Sequence, residues 1–364
     1  MARGISPNTN NGADLGSENK HWRKIYANSA NDELNLGNNY SLNYRRPNHA
    51  YTVGNKCKSN KLAYNRKLIC VKAGTTADGE LTITSSYDGT LIYDGTVVWQ
   101  VDSILRDYNS ISDFWMKNLT YRGADITAFF DSGIMSERIS SGHFQGIYAG
   151  DFIKKSITLP AVTYTDKEGE SVTLEEETIA NIAWRIASFE NYFYIGEPMV
   201  LTNHVVVIPD GAIRTASGFK MNPTADTTGG YLGSDLWRIH MPRFATAIKN
   251  AFGENHVLAY SDRLTNVVNE GVASGNAWTT VEVNIPTESM VAGKFYSSSP
   301  LDSGVTISRS ILFDTDRMRM GGRSSYWLRD VASASEFSSV SFDGPMAKTR
   351  ANVEQYIRPF FLLY

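Results

Sequence analysis

What this chain of 364 residues has little of narrows its chemistry before any motif is read. Its two cysteines, Cys57 and Cys70, both lie in the N-terminal third, and in a chain of this size free thiols are expected rather than a disulfide framework. Neither sign of charge dominates. With 35 basic and 38 acidic residues the net charge is −3, no basic stripe is present, and a nucleic-acid partner is not indicated. No apolar run approaches the roughly 18 to 20 residues that span a bilayer as a helix, so membrane insertion is not expected. Residues 1–11 are polar without an apolar signal core, which points to synthesis in the cytosol and export, if any, by a route such as cell lysis.

Catalytic signatures are equally sparse. The chain has no G-x-S-x-G, no P-loop and no dinucleotide fingerprint. His143, His204 and His256 are widely spaced, without the H-E-x-x-H cadence of a metal site, and read as surface or hydrogen-bonded structural histidines. Glu175, Glu176 and Glu177 are contiguous. Glycoside cleavage needs two carboxylates flanking a sugar in different environments, so this run reads as a solvated face. The expectation is a protein that is not an enzyme and carries neither metal nor cofactor.

What is present divides into three segments. Residues 1–48 are rich in Asn, Gly and Ser and cannot bury a core of their own, while Trp22, Ile25 and Tyr26 offer apolar surface that only another chain could cover. Residues 49–102 alternate Thr, Val, Ile and Tyr between Asp-Gly pairs, the pattern of a small antiparallel β-module. There Tyr51, Tyr64, Tyr93 and Trp99 are read as core, with a sugar platform as the alternative. Residues 103–364 carry two helical stripes, Ile104, Leu105, Tyr108, Ile111, Phe114 and Trp115, then Trp237, Met241, Phe244, Ala245, Ile248 and Phe252. The second has a cap signal at Ser234-Asp235 and a stop at Gly253, and Pro242 either starts or kinks it. With the strand-like alternation of residues 144–159, this gives an α+β fold class with helices feeding a mixed sheet.

Several stretches carry a resemblance. GADLGSENKHWRKIYA, residues 12–27, resembles a D-L-G-S-x-x-x-x-W-x-x-I-Y-A unit of bacteriophage tail fibres and other virion appendages. Residues 49–101, with an A-Y-x-V-G start and a D-G-T-V-x-W finish, resemble a β-module of phage structural proteins. YWLR at 326–329, a Ser-rich excursion and a final R-P-apolar strand resemble the end of an uncharacterised bacterial and bacteriophage domain family. WRIASFENYFY, NHVVVIPD, MNPTADTTGGYLGSDLW and NIPTESMVAG follow the family order upstream. That family resembles the C-type-lectin-like fold, so the resemblance implies a C-type-lectin-like mixed α/β domain over 103–364. The related formylglycine-generating enzymes hold copper with a cysteine pair, which this region lacks. Glu197-Pro198-Met199 superficially matches a calcium-lectin loop, but Met199 supplies no oxygen ligand.

The function these resemblances imply is that of a virion protein, a tail fibre or receptor-binding appendage. Homotrimers are expected, with residues 1–48 docking on other virion proteins and the C-terminal domain binding a host-surface glycan or protein. The alternatives are a head fibre or capsid decoration protein and, less favoured, a polysaccharide depolymerase. The binding face is placed between 330 and 352, on Ser333, Ser335, Glu336, Ser338, Ser341, Lys348, Arg350 and Asn352. Asp343-Gly344 is expected to turn the chain, and Phe337, Val340 and Phe342 to include its inward residues.

Overall fold

The computed structural model describes residues 44–62, 66–83, 85, 89–103, 119, 121–142, 144, 146–216, 218–302 and 309–364. In the first part, strands Lys56–Cys57, Arg66–Lys72, Val97–Ser103 and Leu91–Asp94 bond side by side in that order. Gly95, φ 62°, makes the turn between the last two in sequence, and a Cβ there would lie 2.4 Å from the Thr75 carbonyl oxygen. Trp99 fills the small core with Leu68, Cys70, Ile92 and Val97. Its indole N–H donates to Asp94 at 2.9 Å, and Arg45 donates to the same carboxylate at 2.9 and 2.6 Å. Tyr51 packs edge-on against Trp99 at 4.7 Å, whereas Tyr93 is exposed. Tyr64 lies outside the described residues. Both cysteines are unbridged and buried, and burial pushes the Cys57 thiol up to about 12.

This module leans on the larger unit. Val71 and Val98 belong to the main core, and Arg122 joins the parts by donating to the Gly89 carbonyl at 2.6 Å while gripping Asp151 through two nitrogens at 2.9 and 2.5 Å. The main sheet has the order Val257–Leu258, Phe360–Leu363, Val205–Pro209, Glu177–Phe189, Phe152–Leu159, with Val283–Asn284 also pairing to Phe360–Leu363. Val205–Pro209 and Phe360–Leu363 are buried at every position, as unbroken apolar runs demand. The helix Met241–Phe252 covers the sheet, packing Phe252 against Phe361 and Trp184 at 4.9 and 5.8 Å. A π-helical turn, Leu236–His240, runs straight into this helix, and Pro242 sits at the junction, in the first turn of the α-helical part.

The α+β, C-type-lectin-like expectation is corrected by this architecture. Of the described residues 38% are in strand and 17% in helix, and the sheet curls into a half-barrel. Every pairing between named strands is antiparallel, so the sheet is not mixed. The physical reason lies in helix length. Apart from Met241–Phe252, the described α-helices are Thr127–Asp131, Ile134–Ser140, Glu288–Ala292 and Asp316–Arg319, at most seven residues and too short to form a layer. The other expected stripe, from Ile104 to Trp115, lies outside the described residues.

The aromatic frame at the C-terminus is built as its sequence demands. Tyr326, Trp327 and Phe360 are buried, and the Trp327 indole N–H donates to the Phe219 carbonyl at 2.7 Å. Trp327→Ala is therefore expected to cost about 3 to 5 kcal/mol, read by urea unfolding; an unchanged midpoint would remove Trp327 from the core.

His204 generates a pH dependence. One ring nitrogen lies 2.8 Å from the Thr202 carbonyl oxygen and the other accepts the Tyr192 N–H at 3.2 Å, so both bonds are made by the neutral ring. Burial lowers its pKa from 6.5 to about 4. Below about 6.5 the unfolded chain takes up a proton that the folded chain refuses, so this stability is complete above that pH and lost as pH falls toward 4, up to about 3 kcal/mol. His204→Gln titrates no proton there. Its stability deficit relative to the parent should narrow between about pH 7 and about pH 4.5 in urea unfolding, and a constant deficit would show that His204 is not the group responsible.

Candidate binding site at the C-terminal face

The excursion expected to display the binding residues is a meander of strands Tyr326–Val331, Glu336–Val340 and Met346–Arg350. Asp343-Gly344 does make its second turn: the Gly344 N–H donates to the Ser341 carbonyl at 2.9 Å and the Ser341 N–H to the Pro345 carbonyl at 2.8 Å. Lys348, Arg350 and Asn352 are exposed along the outer strand and just past it. Ser333, Ser335, Glu336 and Ser341 are half-buried. The Ser333 hydroxyl donates to Glu336 at 3.0 Å, and its carbonyl accepts the Thr227 hydroxyl at 2.8 Å, so this loop is wired to its neighbours.

One assignment on the excursion is corrected. Ser338 is fully buried and donates to Glu288 at 2.6 Å, so it displays nothing. Of Phe337, Val340 and Phe342, the set expected to include the inward residues, the first two are buried and Phe342 is 56% exposed. Alternation along a strand separates inside from outside only when one face is solvated, and Glu336–Val340 is covered on both. On one side Phe337 joins the main core; on the other lies Glu288.

Glu288 explains that cover. Thr287 caps the short helix Glu288–Ala292 by accepting the Met290 N–H at 3.1 Å, which aims the Glu288 side chain at the meander. Burial would raise the pKa of its carboxyl, but the Ser338 hydroxyl, the Tyr296 amide at 2.7 Å, the Ser298 hydroxyl at 2.7 Å and the Ser297 amide outweigh it and hold the group below the usual range. Nearby, Arg329 and Asp262 form a buried ion pair at 2.8 Å. The Glu288 carboxylate and the Arg329–Asp262 pair fix the underside of the face, although the buried Arg329 Nε makes no hydrogen bond among the described residues.

Beside the meander lies a cleft of about 490 Å³, lined by Arg214, Arg323, Ser324, Ser325, Phe342, Glu354, Gln355 and Tyr356, with Ala216 and Gly218. Backbone bonds hold its walls: Tyr356 N–H to Ser325 carbonyl at 3.1 Å, Gln355 N–H to Phe219 carbonyl at 2.9 Å, and Trp327 N–H to Tyr356 carbonyl at 2.9 Å. The Arg214 guanidinium donates through Nε to the Ser324 hydroxyl at 2.9 Å and lies over the Tyr356 ring at 5.5 Å. Gly321, Gly322 and Arg323 all occupy the left-handed region, with φ of 55°, 75° and 57°. Glycine is required at 321, where a Cβ would sit 2.9 Å from the Tyr326 ring. Glu354 pairs with Lys220 at 3.7 Å.

The remaining expectations divide. His256 bonds the Tyr364 carbonyl through Nδ1 at 3.1 Å, as a structural histidine would, and His143 lies outside the described residues. His240, not singled out from sequence, is buried beside a second cleft of about 270 Å³ lined by Asp166, Asp235, Lys220 and Glu354, and burial lowers its pKa to about 4. Glu175 and Glu176 are exposed, and Glu177 accepts the Ala216 N–H at 3.3 Å. The cleft residues Arg214, Arg323 and Tyr356 form no sequence motif, because three separate chain segments bring them together. Comparisons of the chain with family models, curated proteins and solved structures returned no match.

Proposed function

We propose that this chain is a bacteriophage virion appendage protein that attaches to the host cell surface through its C-terminal face. The observation that carries the reading is a rigid β-scaffold with an exposed polar edge, Lys348, Arg350 and Asn352, set beside an open cleft of arginines and aromatic rings. Aromatic and arginine side chains dominate binding energy at recognition surfaces, and they act best on elements that do not move. The likeness of residues 12–27 and 49–101 to units of phage structural proteins supports the virion as its location. Residues 1–48 dock on other virion proteins and join the chains as a homotrimer, since Trp22, Ile25 and Tyr26 gain burial only against another chain.

Light scattering on the purified full chain should give three times the 40.4 kDa chain mass, and a monomer at micromolar concentration would overturn the trimer.

Attachment is tested by adsorption of the labelled chain to a panel of bacterial strains. Lys348→Ala, Arg350→Ala and Asn352→Ala combined should keep the melting temperature and abolish adsorption to the strain bound by the parent. Ser338→Ala, which removes a buried bond to a carboxylate, should lose about 1 to 3 kcal/mol of stability and leave adsorption intact. Undiminished adsorption of the triple variant would move the attachment site elsewhere. Label found on the capsid rather than the tail would favour a head fibre or decoration protein.

A further inference from the structure

We infer that the cleft beside Phe342 binds an anionic group, a carboxylate or a phosphate, carried on a sugar. The inference rests on the attachment reading only for the source of that sugar, a cell-surface glycan.

Charge comes first. Two guanidinium groups line the cleft, and its one carboxylate, Glu354, is already engaged by Lys220. The cleft beside His240 is the reverse, with Asp166, Asp235 and Glu354 against Lys220, and would repel an anion. Arg214 is held in place before any ligand arrives, by the Ser324 hydroxyl, the Gly322 carbonyl at 3.4 Å and the Tyr356 ring. Those bonds take its Nε and one terminal nitrogen, so the other terminal nitrogen and the fixed positive charge are what the cleft offers to a carboxylate or phosphate.

Arg323 supplies an independent observation. It is exposed, at φ 57°, and makes no hydrogen bond or ion pair among the described residues. Glycine would adopt that backbone conformation without steric penalty, and the chain uses glycine at the two preceding left-handed positions. A long cationic side chain kept at a left-handed position, with no hydrogen bond or ion pair inside the fold, is placed for something outside it.

The rest of the lining suits a sugar. Phe342, exposed at the cleft, offers a ring for its C–H surface, while the Ser325 hydroxyl and Gln355 amide can bond its hydroxyls. A volume of about 490 Å³ lies within the range of small-molecule sites.

Calorimetric titration of the full chain with glucuronate, glucose 1-phosphate and glucose tests this. At least one charged sugar should bind about tenfold or more tightly than glucose, and weaken as ionic strength rises from about 0.01 to about 1 M. Preference for glucuronate identifies a carboxylate-bearing glycan, and preference for glucose 1-phosphate a phosphate-bearing one. Arg323→Gly should keep or raise the melting temperature, because it relieves the backbone, while weakening the charged sugar about tenfold and leaving glucose unchanged. Equal affinity for glucose, no binding of either charged sugar, or full affinity in Arg323→Gly would each overturn the inference. The two readings fail separately. Sugar binding without adsorption to cells supports the cleft and refutes attachment, whereas adsorption without sugar binding refutes the cleft alone.

Discussion

A single buried guanidinium, that of Arg358, is the constraint on which the C-terminal half of this fold depends. It is fully buried and donates to the carbonyls of Met318 at 2.5 Å, Pro209 at 2.9 Å and Asp210 at 3.1 Å. Phe313 and Tyr326 lie over it at 5.1 and 5.3 Å. An arginine cannot shed its proton in a protein, so its desolvation has to be offset by bonds and ring contacts where it stands. The carbonyls that accept those bonds belong to the end of one central strand and to the short helix Asp316–Arg319. One side chain thereby fixes the main sheet, the 311–319 segment and the first strand of the meander against each other.

That constraint reaches the binding face through sequence neighbours. Arg358 precedes the strand Phe360–Leu363, and two residues before it Tyr356 forms a wall of the cleft. On the far side, Tyr326 lies over Arg358, crowds Gly321 and so requires glycine where the left-handed run Gly321-Gly322-Arg323 begins. The position of Arg323 is thus inherited from the packing around Arg358. Glu288 performs the corresponding role beneath the meander, where its carboxylate collects the loop 296–298 and the central strand on one buried anion.

Some of this was legible in the sequence, and for identifiable reasons. The apolar cluster at 326–328 and the run at 360–363 mark core because nothing else can hide so much apolar surface, and Asp343-Gly344 marks a turn because glycine tolerates φ of 102° there. The helix Met241–Phe252 follows from its stripe and from Gly253. Ser338 was misplaced because alternation carries no information once both faces of a strand are covered. The α+β expectation failed because a helical stripe does not disclose how few long helices accompany it. Arg214, Arg323 and Tyr356 were invisible as a group, since spacing along a chain does not encode proximity across three segments.

The place of Phe360–Leu363 in the main sheet has a consequence for how the molecule is made. This strand pairs with Val205–Val207 on one side and with Val257–Leu258 and Val283–Asn284 on the other. The sheet therefore stays split until residues about 150 positions after Val205–Pro209 leave the ribosome, and its apolar edges wait open in the meantime. The small module around Trp99 has its own core and can close long before. Synthesis thus delivers a folded leader followed by a large unit that completes in one late step, which makes the interval before residues 360–363 emerge the time when this chain most needs protection from aggregation.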